Sequence, residues 1–455
     1  MPTGIKKTAL ADAVRGEIAE ELLALLGRQP VPELDLEALE TATRRVVLAW
    51  AARLIEKWLN ADTSDRRDSA VLCRCGHAAR YVDRRKKRIH SALGELQLER
   101  AYYYCRHCGS GFCPRDQQLG IEGGLSPAVL RMIAAVGAMV SFQEGSQLLE
   151  ELAGVAVDAK QVERAAEALG ADIVADEKHD LAPGSDEVPP TTLYLGVDGT
   201  GVPMRPSELK GRSGKQPDGT AKTREVKLCT CWSAETRDAQ DRPVRDLGSV
   251  SYTAAIESAA TLDTDEVASE FTQRVLREAT RRRFTEAPRQ VVIGDGAAWI
   301  WKIAQELFPR ATQIVDKFHA KEHLSQLGGV LYGAGSQPAR NWSERRHREL
   351  DTGRFDDLLR AIRRHADRSD EARKCFQYLH RNRERMAYPR FEADGLCVGS
   401  GVVEAGCKVI VATRLKRAGM RWTIAGANAI IALRCSKLSA RFQDFWERRA
   451  ERRAA

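Results

Sequence analysis

The chain has 455 residues, with 71 Lys or Arg against 63 Asp or Glu, a formal charge of +8. At roughly 100–200 residues per domain, this length allows about three domains, and a hydrophobic share of 43% is enough for real cores, which excludes a wholly disordered chain. No apolar run of about 18 residues occurs, which excludes a transmembrane helix. The opening MPTGIKKTALADAVRGEI lacks the apolar centre of a signal peptide and reads as amphipathic helix, so a cytoplasmic protein with no membrane partner is expected.

The first 65 residues read as a helical region. From Leu39 to Leu59 the apolar positions recur every three or four residues, leaving one greasy and one charged face. Such a helix packs in its own bundle or pairs with a second copy. Residues 61–70 form a polar link, and the pattern then changes. Ile89 to Tyr104 alternates like a strand pair turning at Leu93-Gly94-Glu95. The basic run Arg84-Arg85-Lys86-Lys87-Arg88 lies on one of its strands, and arginine forks match phosphate geometry. Solvated surface cations are the other explanation of that run.

Cysteine usage is uneven, with five of the eleven cysteines between positions 73 and 113. An odd number in a reducing compartment argues against a disulfide framework. Cys73 and Cys75 precede the hairpin, and Cys105 and Cys108 follow it. Two thiolate pairs brought together by a hairpin describe a zinc ribbon over 70–118, because tetrahedral Zn²⁺ needs four soft ligands. The first pair is one residue shorter than the usual Cys-x₂-Cys knuckle, and His77, His107 and Cys113 are spare ligands. The alternative is four reduced, buried cysteines. The zinc would be structural.

Residues 124–172 read as a helix-turn-helix-like domain. Ser126-Pro127 is an N-cap and first-turn pair. A helix over 141–152, a turn at Gly154 and a helix from Asp158 to Leu169 follow. Lys160 and Arg164 on the last helix are candidate DNA contacts, although any helical hairpin has this outline. Residues 173–192 are acidic and rich in Pro and Gly, which marks a linker.

The carboxylates of the second half carry the chemistry. The stretch from Leu193 to Val202 opens as an apolar strand that ends on Asp198, followed by Gly199 and Gly201. Residues 205–224 are a polar, basic loop, and Val226 to Trp232 is the returning strand. Gln290 to Gly294 is a strand closed by Asp295-Gly296, with a helix over 299–307. A short strand at 311–315 ends at Asp316, three residues before His319. Acids fixed at a sheet's rim on neighbouring strands repel, and a divalent cation removes that cost. Strand ends are also where α/β sheets bind ligands; the plainer explanation is that aspartates terminate strands as turn formers. A third acid, Glu404, follows Gly399-Ser400-Gly401 on a helix running to about Thr413 and shares a face with Cys407 and Lys408 at i, i+3 and i+4. Pairing of Glu404 with Lys408 on the surface is its alternative. The stretch around Arg414, Lys416 and Arg421 is dense in cations.

Taken together, the blocks Tyr194-Leu-Gly-Val-Asp198-Gly-Thr-Gly-Val-Pro-Met204, Ile293-Gly-Asp295-Gly-Ala-Ala-Trp-Ile-Trp301, Ile314-Val-Asp316-Lys-Phe-His319-Ala-Lys-Glu-His323-Leu324, and Gly399-Ser-Gly-Val-Val-Glu404 through Arg414-Leu-Lys416-Arg-Ala-Gly-Met-Arg421-Trp422 resemble the DDE transposases of bacterial insertion sequences, ISKra type. The resemblance covers roughly residues 70–440, and the Gly-Asp-Gly and Gly-Met-Arg-Trp blocks are its distinctive parts. It implies a multidomain α/β protein. An RNase H-like mixed-sheet catalytic core over 193–440 would carry an all-α insertion at about 320–395 and be followed by a basic tail over 441–455. It implies Asp198, Asp295 and Glu404 as a catalytic triad holding two Mg²⁺ or Mn²⁺ ions, with Asp316 and His319 accessory near the site. His323, one helical turn on, could face the same way. Metal-assisted phosphoryl transfer then follows. Double-stranded DNA, as element ends and target, is the expected partner, held through Arg84, Arg85, Lys86, Lys87, Arg88, Lys160, Arg164, Arg414, Lys416 and Arg421. Joining two ends requires at least a dimer, and a bacterial, nucleoid-associated location is expected. Two rivals stay open: a nuclease or resolvase of the same fold that never joins strands, and a non-catalytic, zinc-containing DNA-binding regulator.

Overall fold

A computed structural model describes residues 35–179, 188–214, 216, 219–259 and 268–454, with positions 20 and 24. The expected helical start before residue 35 and the middle of the expected linker lie outside the described residues. The chain forms two compact units, Met1–Ala166 with Trp446–Ala455, and Glu167–Phe445.

In the first unit, α1 runs from Leu36 to Ala61. Its apolar face packs on a hairpin: Ala52, Ile55 and Leu59 meet Ile89, Leu96, Leu98 and Ile121. Its polar rim pairs with the hairpin backbone, with Gln97 N donating to Glu56 Oε2 (2.6 Å) and Glu99 N to Asn60 Oδ1 (2.8 Å). The hairpin belongs to an antiparallel sheet of β1 (Ala70–Leu72), β2 (Ala78–Ser91), β3 (Gly94–Tyr104) and β4 (Gly111–Phe112). Buried Asp65 staples the sheet to the end of α1. It accepts from Arg84 (2.9 Å) and from Ala101 N (2.7 Å), and Arg115 reaches it at 3.5 Å. These donors satisfy the oxygens of a buried carboxylate, which would be costly to leave without partners.

Four helices follow in the chain. Ser126 caps α3 (Pro127–Met139) and Ser141 caps α4 (Phe142–Ala153) in a reciprocal capping box with Glu144; α2 is the short helix Pro114–Leu119. Asp158 and Gln161 exchange the same bonds at the start of α5 (Ala159–His179). α5 continues through 173–179, where a linker is expected. The Ala, Ile and Val there are helix-compatible, and the acids Asp176 and Glu177 are buried rather than solvated.

The second unit is built on a five-stranded mixed sheet in the order β11-β10-β5-β6-β9. Its strands are β5 (Thr192–Pro203), β6 (Thr223–Ser233), β9 (Ser251–Ala255), β10 (Arg289–Gly294) and β11 (Thr312–Val315); β7 (Thr236–Arg237) and β8 (Pro243–Val244) pair apart from it. β5, β6 and β9 run antiparallel in sequence order, whereas β10 lies parallel to β5 and β11 parallel to β10. The parallel crossovers pass through α6 (Glu270–Arg281) and α7 (Ala298–Leu307). After β11 the chain is helical: α8 (Lys317–Tyr332), α9 (Gln337–Asp351), α10 (Phe355–Ala366), α11 (Asp370–Arg381) and α12 (Tyr388–Ala393). It returns to the sheet with α13 (Gly401–Gly406), a π-helical stretch (Cys407–Ala412) and α14 (Ile424–Leu438).

Residues 441–455 are expected to be a basic tail, yet Phe442–Ala454 is a helix, α15. Arg441, just before it, is part of the core. It meets buried Glu278 at 3.2 Å and Glu177 at 3.3 Å, while Arg274 joins Glu257 at 2.6 Å and Glu177 at 3.7 Å. The Glu278 carboxyl is fully desolvated, which raises its pKa; Arg441 and Arg281 more than offset this and hold it below its ordinary value.

Candidate active site and metal centre

Asp198 is not at the end of its strand. β5 pairs with β10 only up to Val197 opposite Gly294, then continues against β6 to Pro203 opposite Thr223. Asp198 therefore stands where the parallel partner stops. Asp295 follows Gly294 just past the end of β10, so each aspartate directly follows the last paired residues of two adjacent parallel strands. Burial pushes the Asp198 pKa up, and the Asp295 charge adds to the rise. The bonds from Gly199 and Cys407, and the charge of His319, act against it. Gly199 N donates to Asp198 Oδ1 (2.7 Å) and the Cys407 thiol to Oδ2 (3.4 Å). Ala297 N donates to Asp295 Oδ1 (2.8 Å).

Glu404 comes from α13, which is seated against the middle of β5. A Cβ at Gly196 would stand 2.8 Å from Trp232 Cζ3 and closer still to Val403 Cγ2, so only glycine lets α13 approach. Of the expected shared face, Cys407 points inward onto Asp198 while Glu404 and Lys408 are exposed. The helix switches to π geometry at Cys407, a distortion common at functional sites. Among the described residues, the three acids do not form a group whose ligand atoms all lie within 4.8 Å of one another; the four cysteines do.

Asp316 follows β11 as Asp295 follows β10, and its N–H donates to Gly294 O (2.8 Å). It is buried, and it caps α8 by accepting from His319 N (2.8 Å) rather than from the imidazole. Its other oxygen accepts from Ser400 N. With Lys317 N donating to Val398 O (2.9 Å), it fixes the turn that launches α13. The rings of His319 and His323 meet edge to face at 4.9 Å. Burial, then the neighbouring His319, lowers the His323 pKa, with Glu322 and Asp295 opposing. Tyr378 escapes a reading of local spacing altogether. From α11 its hydroxyl donates to Asp295 O (2.8 Å) and its ring lies 4.5 Å from His323. That approach depends on Gly296 (φ +99°), where a Cβ would stand 2.5 Å from Tyr378 Cε2.

The chemistry of this donor set suits a divalent cation. Two carboxylates on neighbouring strands, one already pushed toward its neutral form, are relieved by a hard cation with oxygen ligands.

In the first unit the Sγ atoms of Cys73 and Cys108, and of Cys75 and Cys105, are each 3.6 Å apart. Zn–S bonds of about 2.3 Å in a tetrahedron put sulfurs about 3.8 Å apart, so the four residues could hold zinc. The shorter Cys-x-Cys pair is accommodated because Cys73 N donates to His77 O and Gly76 N to Cys73 O, closing a tight turn. His77 and His107 stack on each other at 3.5 Å beside the cluster, and Cys113 is outside it.

The expected DNA-contacting cations divide sharply. Arg84 is taken up by Asp65, Arg85 pairs with Asp83 (3.0 Å), Lys86 with Glu99 (3.2 Å), Lys87 with Asp116 (3.6 Å) and Arg88 with Glu95 (3.4 Å). Each charge of that run is thus matched by a local acid. Lys160 pairs with Glu163 (2.6 Å) at the exposed start of α5, and Arg164 is exposed on the next turn. Arg414 is completely buried under the Trp422 ring at 5.2 Å and leaves the set. Lys416 and Arg421 are exposed.

Among the described residues no helix is long and apolar enough to cross a membrane. No protein-family model matches the chain, and no curated protein matches it. Among solved structures, it aligns with the Drosophila P element transposase strand transfer complex at 10% identity, over 73% of this chain and 83% of that one. The TM-score of 0.24 is too low for that likeness to carry an argument.

Proposed function

We propose that this protein is a DDE-type DNA transposase that cleaves insertion-sequence ends and joins them to target DNA by metal-dependent phosphoryl transfer. The observation carrying this reading is that Asp198 and Asp295 each follow the last paired residues of two adjacent parallel strands, Val197 and Gly294, and that the Asp198 pKa is raised. The sheet order, three antiparallel strands followed by two parallel ones, supports reading the second unit as an RNase H-like core of ISKra-like type. The helices between β11 and α13 are then its insertion. Asp198, Asp295 and Glu404 would hold two Mg²⁺ or Mn²⁺ ions, which supply water activation and stabilisation of the leaving oxygen. Cys407 and Gly199 orient Asp198, Tyr378 steadies the Asp295 backbone, and Lys416 offers a cation to the phosphodiester. The ribbon, with a structural zinc, and the α3–α5 helices would hold duplex DNA through phosphates. A homodimer or larger assembly follows from joining two ends.

A second reading has one observation in its favour. The only described group of three or more potential ligands within 4.8 Å of one another is the four cysteines, as suits a zinc-containing DNA-binding regulator without catalysis. The test is Mg²⁺-dependent cleavage of a labelled duplex carrying the sequences that flank the reading frame. Asp295→Asn should abolish cleavage while retaining DNA binding. Full cleavage by a folded Asp295→Asn protein, or binding without any cleavage by the unaltered protein, would end the transposase reading. Strand transfer from a pre-cut end separates it from a simple nuclease.

A further inference from the structure

A cleft of about 1010 Å³ opens where the β5–β6 connection faces the segment before Trp422. Its lining includes Lys210, Arg212, Lys222, Lys416, Arg417 and Arg421, and no acid. All six cations are exposed. Lys210, Arg212, Lys222, Lys416 and Arg421 form no ion pair among the described residues. This is the reverse of the run at 84–88, where every charge has its acid. The repulsion extends behind the wall: burial, then the charge of Arg212, lowers the Arg224 pKa. A concavity lined by one sign of charge concentrates its field on an anion.

The floor is different. Pro203, Met204, Leu209 and Met420 line it and give an apolar surface between cationic rims. Both walls are tied together, since Arg205 N donates to Trp422 O (2.8 Å) and Trp422 N to Pro203 O (3.1 Å). Lys416, which lines the cleft, also reaches the strand that carries Asp198. Lys416 Nζ bonds Thr200 Oγ1 at 2.5 Å, and Thr200 shares its face of β5 with Asp198, two residues away.

We propose that this cleft holds an unpaired DNA strand end, with phosphates on the six cations and bases against the apolar floor, and feeds it toward Asp198 and Asp295. Cationic grooves with base-contacting surfaces are how single strands are held without sequence preference. The identity of the nucleic acid rests on the transposase reading; the anion-binding cleft does not.

The test uses the full chain in EDTA, with fluorescence anisotropy of a labelled duplex carrying about eight unpaired 3′ nucleotides, compared with a blunt duplex and an RNA overhang. The triple variant Lys210→Gln/Arg212→Gln/Lys222→Gln should bind the DNA overhang about 30-fold more weakly. Its log–log salt slope should be smaller by about 2, at roughly 0.7 per lost phosphate contact on a single strand. The blunt duplex should be held within about threefold of the unaltered protein, and exposed Lys374→Gln should change nothing. In the unaltered protein, a 4-thiothymidine in the overhang should crosslink to peptides within 203–222 or 416–421. Unchanged overhang binding by the folded triple variant, equal losses on overhang and blunt duplex, tighter binding of the RNA overhang, or crosslinks confined to other peptides would each overturn the proposal. Because binding is read without metal, an active Asp295→Asn protein would remove the catalytic reading and leave this cleft standing, and the converse holds.

Discussion

Gly196→Ala is the sharpest perturbation of the proposed site, because it adds one methyl group where α13 meets β5. The new Cβ would lie 2.8 Å from Trp232 Cζ3 and 3.0 Å from Thr230 Oγ1, with Val403 Cγ2 nearer than either. Carbon atoms rest about 3.5–4.0 Å apart, so Trp232 alone demands a shift of about 0.7 Å and Val403 a larger one. β5 is held by β10 on one side and β6 on the other, which leaves α13 as the part that gives way, carrying Glu404 with it. Overpacking of this kind costs about 1–3 kcal/mol, a fall in melting temperature of about 2–4 °C per kcal/mol for a unit of this size. Misplacement of about 1 Å in a catalytic group costs about 100-fold in rate. Activity should therefore fall much more than stability. The assay pairs thermal unfolding with single-turnover Mg²⁺-dependent cleavage for Gly196→Ala, Val403→Ala and the double variant. The double variant should recover part of both losses, since the Val403 methyl is gone while Trp232 stays. Wild-type cleavage by Gly196→Ala, or no recovery in the double variant, would refute the placement of Glu404 by this contact.

Asp198 has a raised pKa in the folded protein, so its ionisation opposes folding. Its favourable contribution is complete below the ordinary aspartate range, near 3.9, and is lost as pH rises through the raised folded value. In EDTA, Asp198→Asn should melt higher than the unaltered protein at neutral pH, with the gap closing toward pH 4 and shrinking when Mg²⁺ is added; a lower melting temperature at pH 7 would contradict this. Purified protein should carry about one zinc per chain by elemental analysis, and Cys105→Ser should lower that content and the stability of the first unit while sparing the second. Asp316→Ala should cost about 1–2 kcal/mol through the lost α8 cap and reduce cleavage, because the Ser400 turn is released; retained cleavage at full rate would limit Asp316 to a capping role. Arg441→Leu should cost about 3–5 kcal/mol, the usual result of stranding a buried charge, as read by denaturant unfolding.

Much of the second unit is legible in the sequence because two of its strands are apolar runs closed by Asp-Gly. β10, α7 and β11 fall within a residue or two of where periodicity puts them. β5 overruns its expected end because an antiparallel partner continues after the parallel one stops, a tertiary fact that no local pattern encodes. β9 (SYTAA) is short, built of small residues and buried on both faces, so it shows no alternation to read. α6 hides for the opposite reason: its Arg274, Glu278 and Arg281 resemble a solvated face but lie in the interior. The same inversion misplaces Arg414, whose charge type says surface while Trp422 covers it. The α1 stripe is visible as amphipathic, but nothing in a stripe names its partner, and a β-hairpin satisfies it as well as a helix. Among the site residues, Asp198 and Asp295 are legible from their flanking glycines. Tyr378 and the Cys407 thiol act across 83 and 209 residues of chain and have no local signature.

The cluster of Glu278 with Arg441 also sets an order of events during synthesis. Glu278 is made 163 residues before the arginine that meets it, and by then all five strands and all three candidate acids have been translated. Until Arg441 follows, the interior holds a carboxylate short of one of its cations, and the nascent unit is held back from its final compact state. Premature stops would thus yield chains that carry every proposed catalytic side chain yet close poorly. For a protein that would cut DNA, this ties the appearance of activity to the arrival of Arg441.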